Sequence, residues 1–422
     1  MKFHECILCG SSIEPVLSLG DQVYVNTYVK DLSDTTVTPQ PLELCVCSSA
    51  SCRHLQLSHL ASPEVLFKHY FWVTGTAKTT QLYAQNLAND ILAKHLNAST
   101  IVEIASNDGT FLRPFITKGL SVLGVEPADN IAQTANNNGV PTLCSFFDER
   151  SSDKCLHTLK GYPDIILARN VIPHTPAPVQ MVEAIAKLAG TNTSIYIEIH
   201  CFESIYSDLQ YDSIYHEHYS YFSLYTLTNL FNKFNLHPVS CTRTAISGGS
   251  LLVEFKTKKP DDRLAHQIKE QIAIAKSLHQ QSQLNSFATR CKYHSSLLLE
   301  EFRRVNKLYP GVPIYSYGSS ARGNTILTHA GVSSLIHSAV DGSPLKWNSY
   351  NANTGLKIIS INDLPKDIPF IIYLAAWNFK DEILGLLADH GLSPLAVLVP
   401  FPGKPSLIIP PNQPFHDYSA SV

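Results

Sequence analysis

From residue 66 to about 260, short apolar runs alternate with segments whose apolar positions recur at helical spacing, which predicts an α/β sheet. Within it "STIVEIASNDGTFLRPFITKG" reads as a buried strand from Ile101 to Ala105, a polar turn from Ser106 to Gly109, and a helix. "LSVLGVEPADN" follows as a strand ending at Glu126, and "DIILARNVIPHT" as a strand ending in Arg169 and Asn170. Between "KTKKPDDR" and "EEFRRVNKL" apolar residues keep helical spacing without an internal proline, which predicts a long helical stretch bridging two domains. After Pro310 the alternation resumes: strand "VPIYSYG", a helix from "ARGNTILTHA", strands "SLIHSAVDG" and "PFIIYLA", then helix "FKDEILGLLADHG". The expected division is 1–65, rich in cysteine and turn formers; 66–300, an α/β domain with its linking helix; and 301–422, a second α/β domain.

Length and composition support this picture. A chain of 422 residues is too long for one core. Its 44% hydrophobic and 16% charged content is that of a globular protein. A formal charge of −3 with no Lys/Arg run gives no field for nucleic acid. "MKFHECILCG" has no apolar core of a signal peptide, and "IPFIIYLAAW" is about half a bilayer span, so a cytoplasmic protein with no membrane partner is expected.

The ten cysteines are unevenly spread: five are Cys6, Cys9, Cys45, Cys47 and Cys52. "CILC" puts two thiolates on one tight turn, and "CVCSSASC" offers three more candidates. Tetrahedral zinc takes four ligands; Cys47 and Cys52 span a loop, which leaves Cys45 as the odd one out. The expected metal ligands are Cys6, Cys9, Cys47 and Cys52, a closed and therefore structural Zn2+ site, with iron as the alternative ion.

The strand–turn–helix at residues 101–109 suits either NAD or S-adenosylmethionine, since Glu126 at the second strand tip can take both hydroxyls of a ribose. The turn discriminates between them. A dinucleotide needs glycines that admit its pyrophosphate, whereas "ASNDG" has one glycine and an aspartate, Asp108. A carboxylate repels pyrophosphate and attracts the ammonium and sulfonium of S-adenosylmethionine. The expected cofactor-binding residues are Glu103, Ser106, Asn107, Asp108, Gly109, Glu126, Pro127 and Asn170. His174, at a helix start, reads as structural.

"DSIYHEHYSYF", from Asp212 to Phe222, packs two histidines and a glutamate among aromatic side chains. In a strand, His216 and His218 would share one face and could hold a metal, but no third clustered ligand accompanies them. Proton transfer suits histidine near neutral pH. By this point "VEIASNDGTFL", "GVEP", "ARNVIPH", "YDSIYHEHYSYFS", "GGSLLV" and "YSYGSSARGNTIL" carry a resemblance. In order and spacing they resemble the sugar C-methyltransferases, which methylate carbon in nucleotide-linked ketodeoxysugars. The resemblance implies S-adenosylmethionine-dependent methylation beside a sugar ketone, with His218 as general base. It implies that Tyr215 and Glu217 hold the ketosugar and stabilise its enolate, and it matches Tyr70 to an upstream catalytic tyrosine. Substrate-binding candidates are Tyr215, His216, Tyr219 and Tyr221. The resemblance also gives the C-terminal domain the nucleotide of the sugar, through Ser319, Arg322 and Asn324 in a turn suited to phosphate. The chain departs from the family at Ala105, where glycine is usual; at the inserted "SSAS"; at "WVTGTAKT"; at "DGSPLKWNSYNANTG"; and at Ser247, where histidine is usual. Two rival functions share these residues: an NAD-dependent sugar oxidoreductase, and a catalytically inactive methyltransferase-like scaffold.

Overall fold

The computed structural model describes residues 4–33, 37–63, 66 and 74–410. Contacts divide the chain into two compact units. The first takes Met1–Glu14, Cys45–Ser204 and Glu217–Gln280; the second takes Pro15–Leu44, Ile205–His216 and Gln281–Val422.

In the first unit seven strands form one sheet. They are β1 (Thr100–Ile104), β2 (Ser121–Glu126), β3 (Thr142–Cys144), β4 (Ile165–Arg169), β5 (Ser194–His200), β6 (His237–Thr244) and β7 (Ser250–Lys256). Their order is β3-β2-β1-β4-β5-β7-β6. β1 to β5 pair in parallel, and β7 lies antiparallel between β5 and β6. Parallel strands are covered on both faces, so they read as continuous apolar runs. Period-two alternation sorts their side chains. Val102, Ile104, Ile166 and Ala168 face one core; Ile101, Ile165, Leu167 and Tyr196 face another, capped by Ala84, Leu87, Ala88 and Ile91 of helix Lys78–Lys94. The strand order reverses between β1 and β4, so a crevice opens at their carboxyl ends.

The helical stretch expected between residues 256 and 308 is two helices, Asp262–Ser277 and Gln281–Leu308. The break falls at His279, whose buried ring is captured from outside the helix. Its Nδ1 lies 2.8 Å from the Arg53 carbonyl and its Nε2 2.7 Å from Ser223 Oγ, while Arg53 Nε and Nη2 donate to the His279 carbonyl at 3.1 and 2.9 Å. A carbonyl taken by a guanidinium is lost to the helix ladder, and the helix ends there.

In the second unit six strands form a sheet: β8 (Ile314–Tyr317), β9 (Ser338–Val340), β10 (Ile358–Ile359), β11 (Ile371–Leu374), β12 (Ala396–Val399) and β13 (Ser406–Ile408). The order is β10-β9-β8-β11-β12-β13, parallel except for the last pair. This repeats the doubly wound plan of the first unit. Among the described residues no helix is long and apolar enough to cross a membrane.

Burial pushes the His279 imidazole down to about 4. A histidine held neutral contributes stability that is present above its ordinary value near 6.5 and is lost as pH falls toward 4. Thermal unfolding is expected to shift by up to about 3 kcal/mol over that window. A His279→Asn variant should show a shallower pH slope; an unchanged slope would remove His279 as its source.

Candidate functional site

The turn after β1 is built in the left-handed region. Ala105, Asn107 and Gly109 have φ of 55°, 49° and 77°, alternating along "ASNDG". One glycine is visible in the sequence, yet the backbone turns as a three-glycine loop turns, with alanine and asparagine taking the strained positions. Neighbours hold it there. Glu126, buried at the tip of β2, accepts the Asn107 N–H on Oε2 and the Ala128 N–H on Oε1, both at 2.9 Å. Asn107 Oδ1 accepts the Thr74 N–H at 2.9 Å, and Asp108 Oδ1 accepts the Thr110 hydroxyl at 2.7 Å. A Cβ on Gly109 would lie 2.7 Å from Val140, and one on Gly124 would lie 2.3 Å from Ser106 Oγ, so both positions require glycine.

This crevice fits a cationic, ribose-bearing cofactor. Glu103, Asp108 and Glu126 are all buried around the turn. Glu103 Oε2 and Ser106 Oγ are buried without a hydrogen-bond partner, which points to a ligand that supplies one. Burial pushes the Glu103 carboxyl well up, with the Arg169 cation pulling it back. Burial also raises Glu126, against its two backbone donors. Pro127 is half-buried beside it. Asn170, with φ of 49°, donates its N–H to the Glu198 carbonyl at 2.7 Å and accepts the His200 N–H on Oδ1 at 3.1 Å.

Sequence reasoning missed the charge pair beside this crevice. Arg169 Nε donates to Glu198 Oε2 at 2.7 Å, and the guanidinium carbon lies 3.3 Å from the centre of the Phe111 ring. Glu198 Oε1 accepts the hydroxyls of Tyr83 and Thr244. No sequence signal marks Glu198, which sits mid-run in "SIYIEIH".

The boundary between the units runs through the histidine box: Tyr215 and His216 belong to the second, Glu217 and His218 to the first. Tyr215–Glu217 is a bend and turn, so the strand geometry that would pair His216 with His218 on one face is not present. In the first unit the half-buried His218 ring meets His174 edge-on, with centroids 4.6 Å apart, and Tyr221 at 6.2 Å. His174 hydrogen bonds the Glu217 backbone, and burial pushes it down to about 4, so it is uncharged at neutral pH. The expectation of a merely structural His174 missed this adjacency. Tyr219 is fully buried and donates its hydroxyl to the Ala61 carbonyl at 2.9 Å. In the second unit His216 Nε2 lies 3.3 Å from the Pro41 carbonyl, its ring 5.1 Å from Tyr24. Tyr70 lies outside the described residues.

The second unit repeats the turn-and-acid device: the Ser319 N–H donates to Asp341 Oδ2 at 3.0 Å. Arg322 is committed to Asp212 through two 2.9 Å hydrogen bonds and to Gln210 at 3.0 Å. Asn324 donates to the Val25 carbonyl at 3.2 Å and to Ser319 Oγ at 3.4 Å.

Among the described residues one group of side chains could hold a metal: the sulfurs of Cys6, Cys9, Cys47 and Cys52 all lie within 4.8 Å of one another. The Cys9–Cys47 and Cys6–Cys52 sulfurs are 3.4 and 3.8 Å apart. Four thiolates at zinc–sulfur bond length about a tetrahedral ion stand about 3.8 Å apart, so the donor set fits. The inserted "SSAS" forms a turn in which the Ser49 carbonyl accepts the Cys52 and Arg53 N–H groups at 3.1 and 3.0 Å, bringing Cys52 round to the site. Cys45, buried in the adjoining strand, is outside the group.

Ala105→Gly is expected to stabilise the protein by about 0.5–1 kcal/mol, read as a raised urea midpoint, because glycine removes the left-handed penalty. Metal analysis should find zinc retained in Cys45→Ser and lost in Cys47→Ser; loss in both would mean that Cys45 also serves the ion.

Comparison with known proteins agrees with these features. Three family models match in succession: "Putative zinc binding domain" over residues 6–67, "Methyltransferase domain" over 77–240 and "C-methyltransferase C-terminal domain" over 245–402. The chain is 27% identical over 388 residues to C-methyltransferase NovU of Streptomyces niveus, covering 90% of this chain and 91% of that one. Among solved structures, the PH0226 protein of Pyrococcus horikoshii OT3 matches 47% of this chain and 100% of its own, with TM-score 0.36 at 10% identity. Magnesium protoporphyrin IX methyltransferase of Synechocystis PCC 6803, solved with bound SAM, matches 42% and 79%, with TM-score 0.32 at 12% identity. Matched in this order by those three models, the chain is an S-adenosylmethionine-dependent methyltransferase that carries a four-cysteine zinc-binding domain ahead of its methyltransferase domain and is similar to C-methyltransferases in its C-terminal part.

Proposed function

We propose that this enzyme methylates a carbon beside the ketone of a nucleotide-linked deoxysugar, with His218 as the general base. The observation that carries the reading is the His218–His174 pair just beyond the carboxyl end of β4, where an open α/β sheet keeps its ligands. His174 is held uncharged, so it does not repel a proton arriving on His218. Carbon beside a ketone loses a proton only to a base within hydrogen-bond reach, and only if the enolate oxygen is stabilised. His218 takes that proton; Tyr215 and Glu217 help to hold the ketosugar and stabilise the enolate, with Tyr70 as the further catalytic tyrosine. S-adenosylmethionine supplies the electrophilic methyl on its sulfonium, and Glu103, Ser106, Asn107, Asp108, Gly109, Glu126, Pro127 and Asn170 are the residues proposed to hold it. Buried Tyr215, Tyr219 and Phe222 keep water from the enolate.

The functional division proposed is zinc-binding over 1–65, methyl transfer over 66–300 and nucleotide recognition over 301–422, with the enzyme working in the cytoplasm. The order of the three matched models supports the order of these parts. In the last part Ser319 and Asn324 remain candidates for the nucleotide. Arg322 remains a candidate too, its guanidinium oriented by Asp212.

His218→Ala is expected to lower kcat by about 10²–10⁴-fold with any accepted ketosugar, while calorimetric binding of S-adenosylmethionine stays unchanged. An unchanged kcat would overturn the base assignment. NAD binding in place of S-adenosylmethionine would overturn the cofactor reading.

A further inference from the structure

The Arg169–Glu198 pair has a place in the sheet that packing alone does not explain. Register pairs Glu103 with Leu167 and Arg169 with Glu198 in parallel strands. Partners in register share a face, and residues two apart on a strand share it too. Glu103, Arg169 and Glu198 therefore project from the same face, in neighbouring strands, at the end that opens on the crevice. Arg169 lies between two acids. Its Nε donates to Glu198 Oε2 at 2.7 Å, whereas Glu103 Oε2 has no hydrogen-bond partner.

A buried ion pair gives little net stability over an apolar replacement, so its presence here calls for another reason. Glu198 is fitted to keep hold of the cation. It is fully buried, and the Tyr83 and Thr244 hydroxyls donate to its other oxygen. The flat face of the guanidinium is pressed on Phe111, two residues beyond Gly109 of the turn. On that face Glu103, which already feels the Arg169 cation, keeps one oxygen without a hydrogen-bond partner.

We infer that Glu198 is a positioning residue that holds the Arg169 cation away from Glu103, so that the crevice stays anionic for a cationic cofactor. This rests on the reading that the turn after β1 holds S-adenosylmethionine. The sulfonium cofactor carries one more positive charge than its thioether product, S-adenosylhomocysteine. A guanidinium released toward Glu103 therefore weakens the cofactor more than the product. Glu198 thereby sets how strongly the enzyme prefers the cofactor over the spent product.

The test is calorimetric binding of S-adenosylmethionine and S-adenosylhomocysteine to the full chain, with folding checked by thermal melting. Glu198→Gln is expected to lower the preference for the sulfonium form about tenfold. Adding Arg169→Met in that background is expected to restore it, which a merely structural role would not do. Equal weakening of both ligands, or no recovery in the double variant, overturns the inference. Should Glu198→Gln fail to fold, Glu198→Asp carries the same test, with a smaller fall in the same ratio expected and no fall overturning the inference. Failure of the unsubstituted protein to bind S-adenosylmethionine would instead overturn the cofactor reading itself.

Discussion

Both oxygens of the Glu126 carboxylate are taken by backbone N–H groups, one from the turn after β1 and one from the start of the next helix. That single buried side chain ties the end of β2 to a turn that no strand or helix ladder could hold. The turn needs it, because two of its three left-handed positions carry side chains and are strained. With the turn fixed, the following amides, the Asp108 carboxylate and the Ser106 hydroxyl acquire fixed positions around the crevice. The second unit uses the same interaction, a turn N–H on the acid at the neighbouring strand's tip, in Ser319 and Asp341. Two doubly wound sheets thus share one way of making a stable polar rim.

Around that rim the first unit concentrates buried charge. Glu103, Asp108, Glu126 and Glu198 lie within a few residues of strand ends, with Arg169 among them. Burying carboxylates is unfavourable unless each finds donors or a cation. Glu126 and Glu198 are fully supplied, while Glu103 keeps one oxygen unpartnered. The imbalance makes this edge a place for a positively charged ligand. The zinc-binding domain offers no place for a substrate on its ion, since four thiols at tetrahedral spacing leave no coordination position open.

The sequence by itself determined the parts that depend on local pattern. Apolar runs marked β1, β2 and β4, the two spaced cysteine sets marked the zinc-binding domain, and Glu126 stood where a strand-tip acid belongs. Even the choice of Cys47 and Cys52 over Cys45 agrees with the sulfur group that the fold assembles, because a tight turn dictates which thiols can converge. Tertiary structure alone decided the rest. Helical spacing carried no trace of the break at His279, which a guanidinium and a serine hydroxyl from distant segments impose. Counting glycines understated the turn, because φ at Ala105 and Asn107 is set by neighbours rather than by residue type. His174 reads as a helix-start histidine, and Glu198 carries no signal in the apolar run around it. Their partners are 44 and 29 residues away in sequence: the pairing of β4 with β5 brings Arg169 to Glu198, and the Tyr219 N–H donating to the Pro173 carbonyl at 2.8 Å brings His218 to His174.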